Sequence, residues 1–167
     1  MPTVNQTQVF KECMEHLKSG GCFLVAGSDN PNIMTIGWAT EGILWGRPIF
    51  MIAVRLSRHT HEKLEELNEF TVCVPSDSNP LKKELAFAGA KSGRDYDKAA
   101  TLGLKYIPSE KISVPGIDGC SVIYECKVIY KTEMHEAHLD QEIVQTSYLN
   151  GDYHTLYFGE ILACQKF

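Results

Sequence analysis

The chain has 167 residues, of which 44% are hydrophobic and 22% are charged, and these values are typical of one globular domain spanning residues 1–167. The formal net charge of −5 and the pI near 5.7 argue against a nucleic-acid partner, because such binding needs a basic face. No apolar run approaches the roughly 20 residues of a membrane span, and no signal-peptide core is evident. We therefore expect a cytoplasmic protein with no membrane partner.

Helical and strand patterns alternate in the first half of the chain. Apolar residues from Val9 to Leu17 recur at helical spacing, and Gly20 and Gly21 end that helix. Strands are predicted at 22–26, 33–40 and 49–54, with a turn at 27–32, a short apolar segment at 43–45 and a break at 46–48. A helix at 61–67 with Thr60 as its N-cap, a strand at 70–74 and short helices at 78–87 and 95–102 follow.

Strand patterns return in the second half. Within residues 121–131, one face would carry Val122, Tyr124, Cys126, Val128 and Tyr130, and this period of two predicts a long strand with one face more buried. The pair Asn150 and Gly151 is a hairpin-type turn signal before a second long strand at 153–163. Six or more strands with helices inserted between them predict a closed or nearly closed antiparallel barrel, mainly β with short helices.

The six cysteines are spread along the chain and form no CxxC pair. Four of them lie in apolar, strand-like runs, where a cysteine usually behaves as a small buried hydrophobe. We therefore predict no disulfide framework and no metal site. The chain also lacks a GxGxxG or Walker loop, so a nicotinamide would visit the protein transiently and have no domain of its own.

Residues 55–60 carry the densest group of polar donors in the chain. Two guanidiniums, two hydroxyls and an imidazole fall within six residues, where a predicted buried strand ends and a predicted helix begins. Such an arrangement suits a phosphate group, because the helix N-terminus and the fork-shaped donors both favour an anion. From this segment alone, an ordinary solvated loop is an equally good interpretation.

Four segments in sequence resemble the flavin reductase-like, FMN-binding split-barrel family, in particular its flavoredoxin-type branch. They are residues 32–39, 48–60, 87–98 and 154–160, and their order and spacing cover most of the chain beyond Gly20. The resemblance implies an antiparallel Greek-key split barrel, a homodimer, bound FMN, and NAD(P)H as a transient co-substrate for hydride transfer to or from flavin N5. It implies a small-molecule or protein electron acceptor and no acid, base or nucleophile among the side chains.

The same resemblance implies a cofactor-binding role for each of several residues. The strand residues would pass along the flavin ring and offer backbone N–H groups and a small hydroxyl to its polar edge, and the loop residues would hold the phosphate or the ribityl chain. The ring-contacting set is Met34, Thr35, Ile36, Gly37, Trp38 and Ala39, and the phosphate set is Arg55, Ser57, Arg58, His59, Thr60, Lys91 and Ser92. Ser92 also fits a helix-capping turn, and His154 fits the flavin vicinity, a dimer contact or a purely structural role.

Two alternatives stay open at this point. One is a non-enzymatic flavin carrier or electron-transfer module, which would keep the phosphate loop without oxidising NAD(P)H. The other is a split barrel that binds another ligand such as haem through His59, His61 or His154. Independently of the resemblance, apolar residues on both faces of the strand at 122–130, such as Ile123, Ile129 and Tyr130, favour a homodimer.

Overall fold

The computed structural model describes residues 6–167. The helices are α1 (Gln6–Lys18), α2 (His59–Glu66), α3 (Lys82–Ala90), α4 (Lys98–Leu102) and α5 (Gln141–Ser147), with a 3-10 turn at Glu136–His138. The strands are β1 (Cys22–Ala26), β2 (Asn32–Ile36), β3 (Ala39–Leu44), β4 (Arg47–Arg55), β5 (Glu69–Pro75), β6 (Tyr106–Ile107), β7 (Gly116–Ile117), β8 (Cys120–Glu133) and β9 (His154–Lys166). None of the helices within this range is long and apolar enough to cross a bilayer.

Seven strands form one antiparallel sheet in the order β2-β1-β5-β8-β9-β4-β3, and the fold is mainly β with short helices, as predicted. The sheet is not closed by backbone pairing, because its two edge strands, β2 and β3, are not hydrogen-bonded to each other. They are consecutive in the chain and separate at Gly37 and Trp38, so the strand predicted at 33–40 is in fact two strands. The split in the barrel therefore lies where the ring-binding segment was expected.

The two faces of the inner strands pack into different cores, which explains the continuous apolar run of β1. Leu24 and Ala26 belong to a large core between the sheet and α1, whereas Phe23 and Val25 pack with α3 and β7. The first half of β8 is buried on both faces, with Tyr124 in the large core and Ile123 in the core that contains α3 and β7, so the prediction that one face is more buried was wrong there. Its second half is largely exposed, because no helix of the described chain covers it.

The tight hairpin of the structure is not at the predicted position. Trp45 and Gly46 both have positive φ (55° and 69°) and connect β3 to β4, with Leu44 paired to Arg47, as in a two-residue hairpin turn. Gly151 instead follows α5, and its N–H donates to the carbonyl of Tyr148 (3.0 Å). The hairpin prediction at residues 150–151 was wrong because the same φ-positive residues also end helices.

The ends of three other predicted elements move by a few residues. α3 begins at Lys82 rather than at residue 78, because Leu81 adopts a left-handed conformation (φ 48°) at its N-cap. α4 begins at Lys98 after an Asp97 cap, and β9 continues to Lys166. These shifts affect α3, α4 and β9 and leave the bounds of the edge strands β2 and β3 unchanged.

Candidate functional site

Two adjoining clefts lie at the ends of β2 and β4. The loop cleft, of about 160 Å³, is lined by Asn32, Met34, Ser57, Arg58, His59, Thr60, Ala90, Lys91, Ser92, Gly93, Arg94 and Lys98. The strand cleft, of about 190 Å³, is lined by Met34, Thr35, Ile36, Gly37, Trp38, Ala53, Arg55, Arg58 and His154. Met34 and Arg58 line both, so one elongated ligand could occupy the pair.

Nearly all the residues that the sequence suggested for cofactor binding line one of these clefts. Ala39 does not, because it begins β3 and pairs with Ile52 of β4. The Thr35 hydroxyl, expected at the polar edge of a ring, donates instead to the Leu85 carbonyl (2.6 Å). The Thr35 side chain is therefore engaged within the protein.

Cations dominate the loop cleft. The Arg58 guanidinium donates to the Gly89 carbonyl (3.2 Å), and the Lys98 ammonium donates to the carbonyls of Ile33 (2.7 Å) and Ala88 (2.8 Å). Neither cation is paired with a carboxylate in the part of the chain that the structure describes. A cleft with two such cations presents a positive potential to an anionic ligand.

A chain of ion pairs closes the outer side of the loop cleft. His59 Nδ1 lies 3.0 Å from Glu62, and the Arg94 guanidinium contacts the other oxygen of the same carboxylate. The hydrogen bonds from Arg94 and then from His59 hold the pKa of Glu62 below its usual value. The Ser92 hydroxyl accepts from the Arg94 N–H (3.2 Å), which is the capping turn that the sequence allowed at Ser92.

Thr60 is not the N-cap of α2. The helix begins at His59, Arg58 occupies the cap position without a side-chain cap, and Thr60 lies in the first turn. The buried Thr60 hydroxyl accepts a hydrogen bond from Asn32 Nδ2 (2.7 Å), which ties α2 to β2. The N-cap prediction was wrong because this hydroxyl binds a residue distant in sequence, which local spacing cannot reveal.

Arg55 and Ser57 contact the connection between α5 and β9. Arg55 donates to the carbonyls of Asp152 (2.8 Å) and Ser147 (3.1 Å), and its guanidinium lies 5.1 Å from the ring centroid of Tyr148. The Asp152 carboxylate accepts from the Ser57 N–H (3.1 Å) and hydroxyl (2.6 Å). These contacts fasten the connection beside the strand cleft and engage two of the donors that the sequence assigned to phosphate.

An aromatic wall bounds the strand cleft. Trp38 is 49% exposed, and its ring centroid lies 4.9 Å from that of His154. His154 is only 8% exposed, and its Nδ1 lies 2.6 Å from the hydroxyl of Tyr148. Burial, and next the Arg55 guanidinium, lower the pKa of His154 to about 4, so the imidazole is neutral at neutral pH. An exposed indole beside free backbone edges suits a planar aromatic ligand.

The sequence analysis left out several residues that line the clefts, namely Asn32, Ala53, Ala90, Gly93, Arg94 and Lys98. Gly93 is required sterically, since a Cβ there would lie 1.8 Å from Asn32 Oδ1. The segment 87–98 did match the family pattern, but only Lys91 and Ser92 were assigned roles. The resemblance of that segment to the family was the only sequence signal for its other four cleft-lining residues.

The three histidines considered as haem ligands do not converge. His59 lines the loop cleft and His154 the strand cleft, whereas His61 lies on α2 against the ring of Tyr157 (6.1 Å between centroids). Among residues 6–167, no cluster of His, Cys, Asp or Glu side chains is arranged to hold a metal ion.

All six cysteines are free thiols. The Sγ atoms of Cys13 and Cys22 lie 3.8 Å apart in the core, and this contact and burial raise the pKa of the Cys22 thiol well above its ordinary value. None of the cysteines lines either cleft.

Comparison with known proteins identifies relatives along most of the chain. Residues 14–166 match the model of the flavin reductase like domain. Two relatives described only as uncharacterized proteins, from Archaeoglobus fulgidus and Pyrococcus abyssi, are 33% and 32% identical over 83% and 81% of this chain. The chain spans 67% and 66%, about two thirds, of the length of these relatives.

Solved structures show the same fold. The flavoredoxin of Desulfovibrio vulgaris is 25% identical with a TM-score of 0.68, and the match covers 88% of this chain and 69% of that one. The flavoredoxin from Methanosarcina acetivorans is 22% identical with a TM-score of 0.69, covering 87% and 67%. An NADH:FAD oxidoreductase of Streptomyces globisporus is 19% identical with a TM-score of 0.67, covering 100% and 86%.

Proposed function

Because the chain belongs to the flavin reductase-like family, we propose that it is an FMN-binding oxidoreductase that takes electrons from NAD(P)H and passes them to a small-molecule or protein acceptor. The lining of the two adjoining clefts supports this proposal. One is lined by Arg58 and Lys98, which have no carboxylate partner among residues 6–167, and the other by an exposed indole. FMN has the matching chemistry, with an anionic phosphate at one end and a planar ring at the other.

The loop cleft would hold the phosphate. Arg58 and Lys98 supply charge, Lys91 and Ser92 lie in the same wall, and the start of α2 adds backbone donors. Arg55 and Ser57, which the sequence placed on the phosphate, support it indirectly in this proposal, by fixing the loop through Asp152.

The strand cleft would hold the ring. The backbone of residues 34–38 runs along one side of it, and Trp38 and His154 form the other. When bound, FMN would supply the redox chemistry of a hydride acceptor. The protein residues align the two rings, exclude water and offer N–H donors to the polar edge of the flavin, where negative charge develops on reduction. No side chain in the strand cleft is required to transfer a proton.

Steady-state oxidation of NADH and of NADPH with added FMN tests this function. We expect FMN-dependent oxidation, and we expect Trp38→Ala to lower kcat/KM for NAD(P)H at saturating FMN, because the indole bounds the ring site. Binding of FMN without NAD(P)H oxidation would indicate a flavin carrier. A Soret band in the purified protein, in place of the flavin bands, would indicate haem.

We also propose that the protein forms a homodimer. Ile123, one of the residues that suggested this, is buried in the second core, but Ile129 and Tyr130 are exposed. The rings of Trp45 and Phe158 pack against Tyr130 (5.7 and 5.4 Å between centroids) and extend this apolar face. A symmetric partner is the commonest cover for such a face. Sedimentation at micromolar concentration should show a species of twice the 18.7 kDa chain mass, and a monomer alone would contradict the proposal.

A further inference from the structure

The ammonium of Lys98 is an unusual feature of the loop cleft. Lys98 begins α4, and its side chain is only 5% exposed. Its Nζ donates to the carbonyl of Ile33 on β2 and to that of Ala88 on α3, at 2.7 and 2.8 Å. The amine thus joins a strand and a helix beside the loop cleft and beside a neighbouring polar cleft of about 200 Å³.

Neutral carbonyls do not balance a buried positive charge. An ammonium has three N–H donors, and the carbonyls of Ile33 and Ala88 take two of them. No carboxylate pairs with Lys98 among the residues that the structure describes, and the Arg58 guanidinium is near enough to repel it. A buried cation in this position is costly unless a ligand supplies the negative charge.

We propose that Lys98 is a further cation of the phosphate site, and that FMN binding takes up a proton at this amine because the bound phosphate retains the charged form. This inference rests on the proposed function. The phosphate provides the missing counter-ion and accepts the third N–H, whereas the carbonyls of Ile33 and Ala88 hold the amine in place. Riboflavin has the same ring and no phosphate, so its binding does not change the protonation of the amine.

The lowered pKa of Lys98 in the protein without FMN supports a role as a cation that binds phosphate. Burial, and next the charge of Arg58, lower its pKa from 10.5 to about 8, so part of the population is neutral slightly above neutral pH. A phosphate dianion nearby raises the pKa again. The second ionisation of a phosphate monoester, near pH 6, is complete in this range and does not contribute.

Linkage converts this shift into measurable quantities. With a pKa of about 8 in the empty site and 10 or above in the complex, FMN binding at pH 8 takes up about 0.5 proton per chain. The ratio of FMN affinity to riboflavin affinity should then fall about twofold from pH 7 to pH 8 and about fivefold from pH 8 to pH 9. Because FMN and riboflavin share the same ring, the ratio of their affinities cancels any effect of ring ionisation on binding.

Other titratable groups surround Lys98, so substitutions are needed to show that the proton taken up is bound by Lys98. They are Arg58, His59, Glu62, Lys91, Arg94, Asp95, Tyr96, Asp97 and Tyr106, whereas β2 carries no titratable residue. Lys98→Arg keeps the charge at all these pH values and should abolish proton uptake while FMN still binds. Lys98→Met removes both the charge and the uptake, and Lys105→Met, an exposed lysine outside the clefts, is the matched control.

Calorimetric titration of FMN and of riboflavin at pH 7, 8 and 9, in buffers of different ionisation enthalpy, tests the proposal. The expected result is proton uptake near pH 8 with FMN only, retained in Lys105→Met and lost in both Lys98 variants. If FMN binds without proton uptake, or if Lys98→Arg retains the uptake, the inference about Lys98 is overturned and the proposed function survives. If FMN does not bind at all, both are overturned.

The ¹³Cε resonance of Lys98 provides a readout in the unsubstituted protein, should a variant fail to fold. The resonance should titrate near pH 8 without FMN and show no titration below pH 10 with saturating FMN. Identical titration curves in the two states would overturn the inference.

Discussion

Lowering the pH tests whether His154 is the buried neutral imidazole that bounds the strand cleft. Its pKa is lowered from 6.5 to about 4 by burial and then by Arg55. Between these values the unfolded chain binds a proton at His154 that the folded chain does not bind, so the free energy of unfolding falls as the pH falls. For a shift of this size, linkage gives a loss of about 2 kcal/mol from pH 7 to pH 5 and about 3 kcal/mol by pH 4.

Urea unfolding of the wild type and of His154→Gln at pH 7, 6 and 5 measures this loss. The other histidines and the carboxylates titrate in both proteins, so the difference between the two free energies of unfolding isolates His154. We expect the stability advantage of the wild type to shrink by about 2 kcal/mol between pH 7 and pH 5. A difference that is constant over this range would refute the claim that His154 stays neutral in the folded protein.

Three further substitutions test the site and its chemistry. Arg58→Ala should weaken FMN binding about tenfold or more and leave riboflavin binding unchanged, because a charged hydrogen bond to the phosphate contributes about 1.5–3 kcal/mol. Equal effects on the binding of both flavins would argue against a contact between Arg58 and the phosphate. Gly93→Ala should lower the free energy of unfolding by about 1–3 kcal/mol and weaken FMN binding, because the added Cβ would meet Asn32. Gly42→Ala, with open space around it, is the control. Cys73→Ala should oxidise NAD(P)H at a rate within about 10²-fold of the wild-type rate. A larger loss of rate, with FMN bound and the fold intact, would indicate thiol chemistry.

The strands were predictable where burial is continuous. β1 and β5 are uninterrupted apolar runs because both faces are covered. The first half of β8 is also covered on both faces, although Ser121 and Glu125 give its sequence an alternating pattern. Tight turns were less predictable. Asn150 and Gly151 had the stronger hairpin signal, yet Trp45 adopts the positive φ that makes the hairpin, because the pairing of β3 with β4 imposes it.

The location of the site was predictable, but the partners of its donors were not. The segments 32–39 and 55–60 do meet in space, and their residues line both clefts. Local sequence could not show that Asp152, nearly 100 residues away, engages Ser57, or that Asn32 binds the Thr60 hydroxyl. These contacts depend on tertiary packing. Lys98 was missed for the same reason, since a lysine at the start of a short helix is ordinarily a solvated residue.

Binding of FMN against riboflavin, followed by tryptophan emission, tests the central claim most directly. The chain has two tryptophans, so Trp45→Phe leaves Trp38 as the only reporter, at the wall of the strand cleft. We predict saturable quenching by FMN with one site per chain, and half-saturation at a concentration about tenfold or more below that for riboflavin, because only FMN presents a phosphate to Arg58 and Lys98. The absence of saturable quenching, or equal half-saturation by the two flavins, would contradict the assignment of these clefts to FMN.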